Sequence, residues 1–575
     1  MRMRKLLQNL LILLVAFLLP LSTDFAYSDI YVNPDGSVDV DNYEDFVSAI
    51  QNASVSSINV LNALSGSISV GSQEPSVLSI YGNSFSISGN SLISGIFIDT
   101  GKSLEIVSVS NLMNFIGVDG GVINSQGILS VVDSSFRANS ATNGGAIFST
   151  NNLSINNVTF NNNTAEIGGG IYSEGDLVIV NSEFKNNAAI NQPNSKGGAI
   201  YSKGNVSIYA DGSSAETKFE GNYLQTDENA QKDYQAIYMD SDTGVLRLSA
   251  QNNGIINFQD SINGQSGYQV SIDGDGSVIL LNKVENADIV LTDASLYIGL
   301  GNYGVSDFSS SSLDALSGKI ISDDSKFSTL NLGKLSSTSN VLYTLDFVLE
   351  NGILKTDVLN VESGSDGVIT IDALNGYVVN FSDVEQYIDS PISVKVLNKD
   401  VNDNIVLVLT DRARNKKEKT VFDYLDSSEG TYKLNQDSFV GTVGLSVKDG
   451  DSLSLGVVDE YDPLARLNQF VPEGVQPQGD RYFTVADNTT FYAHENTGTT
   501  SSYGSMNVLG GTGSVIDYSN NGAPLYGFIV PTGVTLNISD VTFQNAEKTG
   551  NGAVINVSGV VNSIADKNFI NNKAT

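Results

Sequence analysis

The chain has 575 residues, with 30 Lys and Arg against 64 Asp and Glu, a formal net charge of -34 and no Cys. Such an acidic balance repels nucleic acid and anionic membrane surfaces, and the missing Cys excludes a disulfide framework and thiolate chemistry. Only 16% of residues are charged and 41% are hydrophobic, so this is no disordered acidic tail. Ser, Asn and Gly between Val, Ile and Leu is the composition of short β-strands joined by polar turns.

Arg2, Arg4 and Lys5 give a positive start, and the apolar run Leu10–Leu19 is stopped by Pro20. With small residues at Ala26-Tyr27-Ser28, residues 1–28 read as a secretory signal peptide cut before Asp29. The run is well short of the ~20 residues of a spanning helix, and no later segment reads as a span. Asn33-Pro34-Asp35-Gly36 partly resembles a calcium loop. It has Tyr31 where the acidic first ligand belongs and Asn42 where the bidentate Glu belongs, and so reads as a plain turn. Asp41-x-x-Glu44 before Phe46-Val47-x-x-Ile50 is a capping-box pattern and predicts a short helix over 42–52.

A repeat in strict phase follows. Gly120-Gly121-Val122-Ile123, Gly144-Gly145-Ala146-Ile147 and Gly168-Gly169-Gly170-Ile171 start 24 residues apart, as do Phe136-x-x-Asn139, Phe160-x-x-Asn163 and Phe184-x-x-Asn187. Gly197-Gly198-Ala199-Ile200 and Phe219-x-x-Asn222 continue the series after small insertions near Gln192 and Gln225. A fixed period of this size means a solenoid. Within one period, Ala146-Ile147-Phe148, Leu153-Ser154-Ile155 and Val158-Thr159-Phe160 read as three strands separated by Asn-rich turns. The fold class expected is therefore all-β: a right-handed parallel β-helix, a pectin-lyase-like solenoid, with a short N-terminal capping helix. Glycine permits positive φ and close backbone approach at a corner. Phe stacks inward on the Phe one coil away, and Asn satisfies a corner. These motif residues read as structural, with a repeated binding motif as the alternative.

Beyond the repeat the chemistry is sparse. Asp273-Gly274-Asp275-Gly276 occurs once and reads as a tight hairpin turn, since calcium β-rolls need such a nonapeptide in tandem. Asp323-Asp324 lies among serines and reads as solvated. Arg412, Arg414, Lys416, Lys417 and Lys419 form a basic cluster between strand-like Ile405–Leu409 and Thr420–Phe422; it reads as an exposed hairpin turn, or as a contact for anionic glycans. The single His494 sits in a loop-like tract without a spacing partner. Asn-x-Ser/Thr triplets, as at Asn157, Asn205, Asn488 and Asn537, arise by chance in such a composition. Glycan cleavage needs paired carboxylates, or a basic residue beside an acidic cluster; neither is visible, so no enzyme is expected. No catalytic, cofactor or metal residue is assigned.

From residue 480 the chain parallels its own beginning. Thr532-Gly533, Gly552-Ala553-Val554-Ile555-Asn556 and Phe569-Ile570-Asn571-Asn572-Lys573-Ala574-Thr575 match Thr100-Gly101, Gly120-Gly121-Val122-Ile123-Asn124 and Phe136-Arg137-Ala138-Asn139-Ser140-Ala141-Thr142. The expected organisation is a signal peptide at 1–28, an N-terminal cap and repeat β-helix at 29–262, a β-rich continuation at 263–479, and the start of a second repeat β-helix at 480–575 that reads as truncated.

GGAIFS…FNNN, GGGIYS…FKNN and GGAIYS…FEGN resemble the GGA[I/L/V] and FxxN repeats of chlamydial polymorphic membrane proteins, which are autotransporter adhesins with a β-helical passenger. Ala236-Ile237, Leu246 to Ala250 and Ile255 to Ile262 resemble a following stretch of that family. Residues 344–371 and 391–397 resemble the β-helical stems of autotransporter passengers. The resemblance implies a C-terminal translocator barrel of ~10-residue alternating strands, and nothing after residue 400 has that pattern. The resulting expectation is an exported, surface-displayed passenger, at the cell surface, in the outer membrane or extracellular, acting as adhesin or interaction scaffold toward a host-cell or bacterial surface protein or glycan, and not toward nucleic acid. The insertions near Gln192 and Gln225 are the expected contact loops. A β-helical polysaccharide lyase or hydrolase and a purely structural stalk are the rival expectations.

Overall fold

The computed structural model describes residues 30–66, 70–91, 95–190, 193–227, 229–298, 306–322, 326–327, 329–336, 342–375, 391–414, 417–421, 423–426, 431–434, 439–461, 481–485, 487–493, 498–499, 505–519, 525–563 and 568–575. The signal-peptide reading, Gln192, Asp323-Asp324, Lys416 and His494 lie outside the described residues. The chain divides into two compact units, residues 1–342 with 359–368 and 399–405, and residues 343–358 with 369–398 and 406–575.

The first unit is a parallel β-helix. Short strands separated by turns each pair with the equivalent strand one coil on. A first sheet stacks 13 strands from Ser37–Val40 through Leu153–Asn156 to Lys334–Leu335. A second runs from Leu64–Ser65 through Thr159–Asn161 to Gly318–Ile321, and a third from Gly71–Ser72 through Ile171–Ser173 to Ser261–Gly264. Pairing is parallel and in phase with the sequence period: Leu129 with Leu153 and Leu177, Phe136 with Phe160 and Phe184, Ile123 with Ile147 and Ile171. Successive coils thus put apolar residue over apolar residue, the same one in the coils of strict period, and the core is a set of columns.

The Phe column is the clearest. Phe136, Phe160, Phe184, Phe219 and Phe258 are buried and stack face to face, with successive centroids 4.9, 4.7, 4.8 and 4.3 Å apart. Beside it runs a column of buried amides. The Asn163 main-chain N–H and Nδ2 donate to Oδ1 of Asn187 at 3.0 and 2.9 Å, and Nδ2 also donates to the Phe136 carbonyl at 3.0 Å. Asn139 and Asn187 repeat the pattern toward Asn163 and Asn222. Two amide hydrogens and one carbonyl per side chain meet every demand of a turn that water does not reach.

The paired glycines have separate duties. Gly120, Gly144, Gly168 and Gly197 take φ of 68°, 61°, 65° and 64°, a region costly to other residues. At Gly144 a Cβ would also lie 2.0 Å from the Ile147 carbonyl oxygen. The second glycine faces the next coil, where a Cβ on Gly145 would lie 2.2 Å from the Gly169 carbonyl oxygen.

Helix Tyr43–Ile50 packs its apolar side over the first coil, burying Phe46, Val47 and Ile50. Its N-cap is Asn42, whose side chain accepts from Asp45 N–H at 2.9 Å, rather than the Asp41 of the capping-box reading. Asn42 is therefore occupied as a cap, and Asn33–Gly36 is a turn closed by Gly36 N–H on the Asn33 carbonyl at 2.9 Å. Asp273–Gly276 is not a hairpin. Strands Tyr268–Asp273 and Ser277–Leu280 pair with neighbouring coils in different sheets, so this segment is a solenoid corner.

The second unit mixes pairings. Leu342–Glu350 and Ile353–Thr356 form an antiparallel hairpin from Phe347 opposite Thr356 to Glu350 opposite Ile353. Ile392–Lys395, Ser452–Tyr461, Phe439–Lys448 and Lys417–Val421 make an antiparallel sheet. The basic stretch expected as a hairpin turn contains a short helix, Asp411–Arg414, before strand Lys417–Val421. Arg412 pairs with the buried Asp372 carboxylate, which also accepts from the Thr410 hydroxyl at 3.1 Å. From Arg481 onward parallel stacking is present again. Phe543 stacks on Phe569 at 5.7 Å, Gly552 has φ of 60°, and Asn572 donates to the Phe543 carbonyl at 3.0 Å. Among the described residues no helix is long and apolar enough to cross a membrane.

Candidate functional site

The third sheet of the first unit carries a second side-chain column, on the opposite side of its strands from the inward-facing residues. In each strand the outer two residues point inward: Ile147 and Ser149, Ile171 and Ser173, Ile200 and Ser202 are buried. The serines close the corner on the second carbonyl ahead, as Ser173 Oγ does on Gly175 at 2.9 Å. Strand alternation then turns the middle residue outward. Those residues are Phe148, Tyr172, Tyr201 and Tyr238, and they form a second aromatic column with spacings of 4.9, 4.7 and 6.0 Å, its middle rings Tyr172 and Tyr201 buried and its ends Phe148 and Tyr238 half-buried.

Charged groups surround this column. Lys203 Nζ lies 5.4 Å from the Tyr172 ring and donates to Glu174 at 2.6 Å. Lys196 Nζ lies 4.1 Å from the Tyr238 ring and 3.5 Å from Asp240. Asp240 also accepts from the Tyr201 hydroxyl and from Gln265 Nε2. Against the upward pull of burial, the bonds from Tyr201 and Gln265 and the Lys196 charge hold the Asp240 carboxyl below its usual value. Burial first, and then the Asp240 carboxylate, push the Tyr201 hydroxyl well up, so it stays protonated and donating. Next to Asp240, an open polar hollow of about 530 Å³ is lined by Ser241, Asp242, Gln265 and Ser266.

A hairpin stands beside the column. Strands Thr164–Ala165, Ala188–Ile190 and Tyr223–Gln225 pair in parallel as a small side sheet. Tyr223–Gln225 then pairs antiparallel with Asp233–Met239, Tyr223 opposite Tyr234. The insertion near Gln225 is the turn of this hairpin, where Gln225 Nε2 donates to the Ala230 carbonyl at 2.8 Å. Tyr234 is 47% exposed, and Lys232 Nζ lies 3.7 Å from the Tyr223 ring. Large rigid side chains of this kind, half exposed, are what binding hot spots are made of.

The geometry describes an extended surface. The recurring polar side chains, Asn and Ser, are spent on turns. Among the described residues no three His, Asp or Glu side chains gather as a metal site. Asp273, singled out in the sequence, is occupied by Arg247 at 2.8 and 3.1 Å and Ser249 at 2.6 Å. Sequence reasoning pointed to the Gln225 insertion but missed the external column. The signal was present in the aromatic residue between Ile and Ser of each repeat.

This is a repeat solenoid whose modified outer face is its distinctive surface. Residues 157–174 and 181–203, two successive coils bearing that face, match the family model described as the Chlamydia polymorphic membrane protein repeat. The chain thus carries that repeat and resembles the passengers of chlamydial polymorphic membrane proteins. Comparison with curated proteins and with solved structures gives no match.

Proposed function

We propose that this chain is an exported, surface-displayed passenger that works as an adhesin or interaction scaffold. The repeat match supports a surface-exposed, autotransporter-type passenger. The observation that carries the interaction role is the Tyr223–Tyr234 hairpin beside the external column Phe148, Tyr172, Tyr201 and Tyr238. A stalk needs only columns that stack inward; the hairpin adds Tyr234, 47% exposed, and Lys232 over the Tyr223 ring, which such a core does not call for. Contacts are spread over area, and several copies displayed together strengthen one another. The partner is a protein or glycan of a host-cell or bacterial surface.

The test pairs two assays on the purified mature chain. Multivalent beads should bind host or bacterial cells, and doubling Tyr223→Ser with Tyr234→Ser should reduce binding severalfold while leaving the circular dichroism unchanged. Turnover of a pectin-like or glycosaminoglycan substrate, abolished by a single carboxylate substitution, would replace this reading with an enzyme. Beads that bind no surface would leave a stalk.

A further inference from the structure

The third sheet ends on strand Ser261–Gly264, whose last two residues are an Asn-Gly pair. The coil above bridges this strand at Ile262 and Val284, and among the described residues no further strand of that sheet lies on Gly264. The Gly264 N–H turns instead to its own neighbour and donates to Asn263 Oδ1 at 2.7 Å. Cγ is one ~1.23 Å bond further on, so the Gly264 nitrogen lies within ~4 Å of the carbon that carries the amide. Two other glycines that follow an asparagine are held by the main chain. Gly144 N–H, after Asn143, donates to the Ile167 carbonyl at 2.9 Å, and Gly254 N–H, after Asn253, to the Gln251 carbonyl at 2.8 Å.

Both ends of the Asn263 amide are engaged as well. Nδ2 donates to Glu285 Oε2 at 2.8 Å, and Oδ1 accepts from Asn286 Nδ2 at 3.0 Å. These contacts fix which end is which, because a carboxylate only accepts and the Gly264 N–H only donates. Asn286 Nδ2 also reaches the Gly264 carbonyl at 3.4 Å, and Lys283 lies 4.0 Å from the other Glu285 oxygen. A nucleophile, a polarised carbonyl and a carboxylate on the leaving nitrogen thus meet at one side chain, half-buried at a corner open to water. Asn143 has a carboxylate, Asp119 at 2.8 Å, but not the nucleophile. Asn151 and Asn282 have the backbone contact, at 2.7 and 2.9 Å, but a side chain follows each, and the amide nitrogen meets a main-chain carbonyl.

We propose that Asn263-Gly264 is a self-modifying site, where the chain converts its own asparagine to aspartate or isoaspartate through a cyclic imide. The Gly264 nitrogen attacks Asn263 Cγ while Asn286 Nδ2 stabilises the charge that grows on Oδ1. The Gly264 N–Cγ bond forms and the Cγ–Nδ2 bond breaks. The proton lost from Gly264 passes by way of water and Glu285 to Nδ2, which leaves as ammonia. Water then opens the imide, giving aspartate by attack at one carbonyl and isoaspartate by attack at the other. Either product sets a new carboxylate against Glu285, at the end of the outer column, where Asn263 pairs with Tyr238. Isoaspartate also adds a carbon to the main chain just before Gln265 and Ser266, which line the hollow.

Trypsin releases residues 248–283 as one peptide carrying both Asn253-Gly254 and Asn263-Gly264, so one mass-spectrometric fragment series reads both. The full mature chain is incubated at neutral pH before digestion. In the folded chain Asn263 should gain one mass unit roughly tenfold faster than Asn253. In urea, where only sequence acts and Gly follows both, the two rates should come together. Glu285→Gln should slow Asn263 roughly tenfold and leave Asn253 unchanged. A native ratio below about twofold, a ratio of the same size in urea, or an unaffected Glu285→Gln chain overturns the proposal. The comparison of native chain with urea needs no variant, so it decides even where Glu285→Gln does not fold. Neither readout involves partner binding, so the result stands apart from the proposed interaction role.

Discussion

Removing one ring from the inner column and one from the outer separates their roles. Phe160 is fully buried between Phe136 and Phe184, at 4.9 and 4.7 Å. Phe160→Ala removes the ring from water-excluded packing and leaves a cavity that rigid backbone coils on either side cannot close. The cost is roughly 3–5 kcal/mol, of which the two lost stacks supply about 0.5–1.5 kcal/mol each. Phe148 is partly exposed on the outer face and, among the described residues, stacks on one ring, Tyr172, at 4.9 Å. Phe148→Ala should therefore cost no more than about 1–2 kcal/mol, one stack plus partial burial. Because a solenoid is held by nearest-neighbour interfaces, whole-chain melting blurs the difference. Native-state hydrogen exchange is the suitable assay. Phe160→Ala should collapse protection in strands Ser135–Arg137 and Glu183–Lys185 and leave Ser277–Leu280 near wild type. Equal losses from the two substitutions, or a loss spread evenly along the solenoid, would refute the column model.

Three further outcomes follow from the same geometry. Gly144→Ala meets both a positive φ of 61° and a carbonyl oxygen at 2.0 Å, whereas Gly101→Ala meets a φ of 82° with open space around it. The second should cost about 1–2 kcal/mol and the first clearly more, as paired urea titrations would show. Asn163→Ala strips the acceptor from the Asn139 N–H and Nδ2 and the donor from the Phe136 carbonyl. At about 1–3 kcal/mol per buried orphan, it should destabilise by at least about 3 kcal/mol, and Asn163→Ser should not rescue it. Against burial, Tyr201, Gln265 and Lys196 hold Asp240 below its usual carboxylate value. Its contribution is present above 3.8 and lost as pH falls through its lowered folded value, so the Tyr201–Asp240–Lys196 network should loosen below pH 4. Exchange at Tyr201 and Tyr238 amides would report it, and unchanged protection at pH 3 would contradict it.

Much of the solenoid was legible because its repeat is written in side chains with one physical solution each. Phe at a fixed phase can only stack inward, and Gly144 marks a corner that no other residue tolerates. What was not legible lacked such a marker. The coils at Ser37–Val40, Ser57–Val60 and Val77–Tyr81 carry ordinary alternation, which reads as strand without saying which coil it joins. The outer column was hidden because Ile-Tyr-Ser alternation does not say which parity faces the core; the buried Ser173 and Ser202, bonded to their own turns, settle it. Asp260, which accepts from Asn222 at the end of the amide column, was missed because the hairpin insertion breaks the period, and it follows Phe258 by one residue fewer than Asn222 follows Phe219. Asp273–Gly276 looked like a hairpin because turn chemistry is the same at a solenoid corner; only strand partners tell them apart.

Surface display is the claim on which both the adhesin and its partner rest. Antibody raised against residues 157–203 should label intact, unpermeabilised cells that make the protein, and brief external protease treatment should abolish the labelling. Labelling that appears only after permeabilisation, and survives the protease, would contradict it.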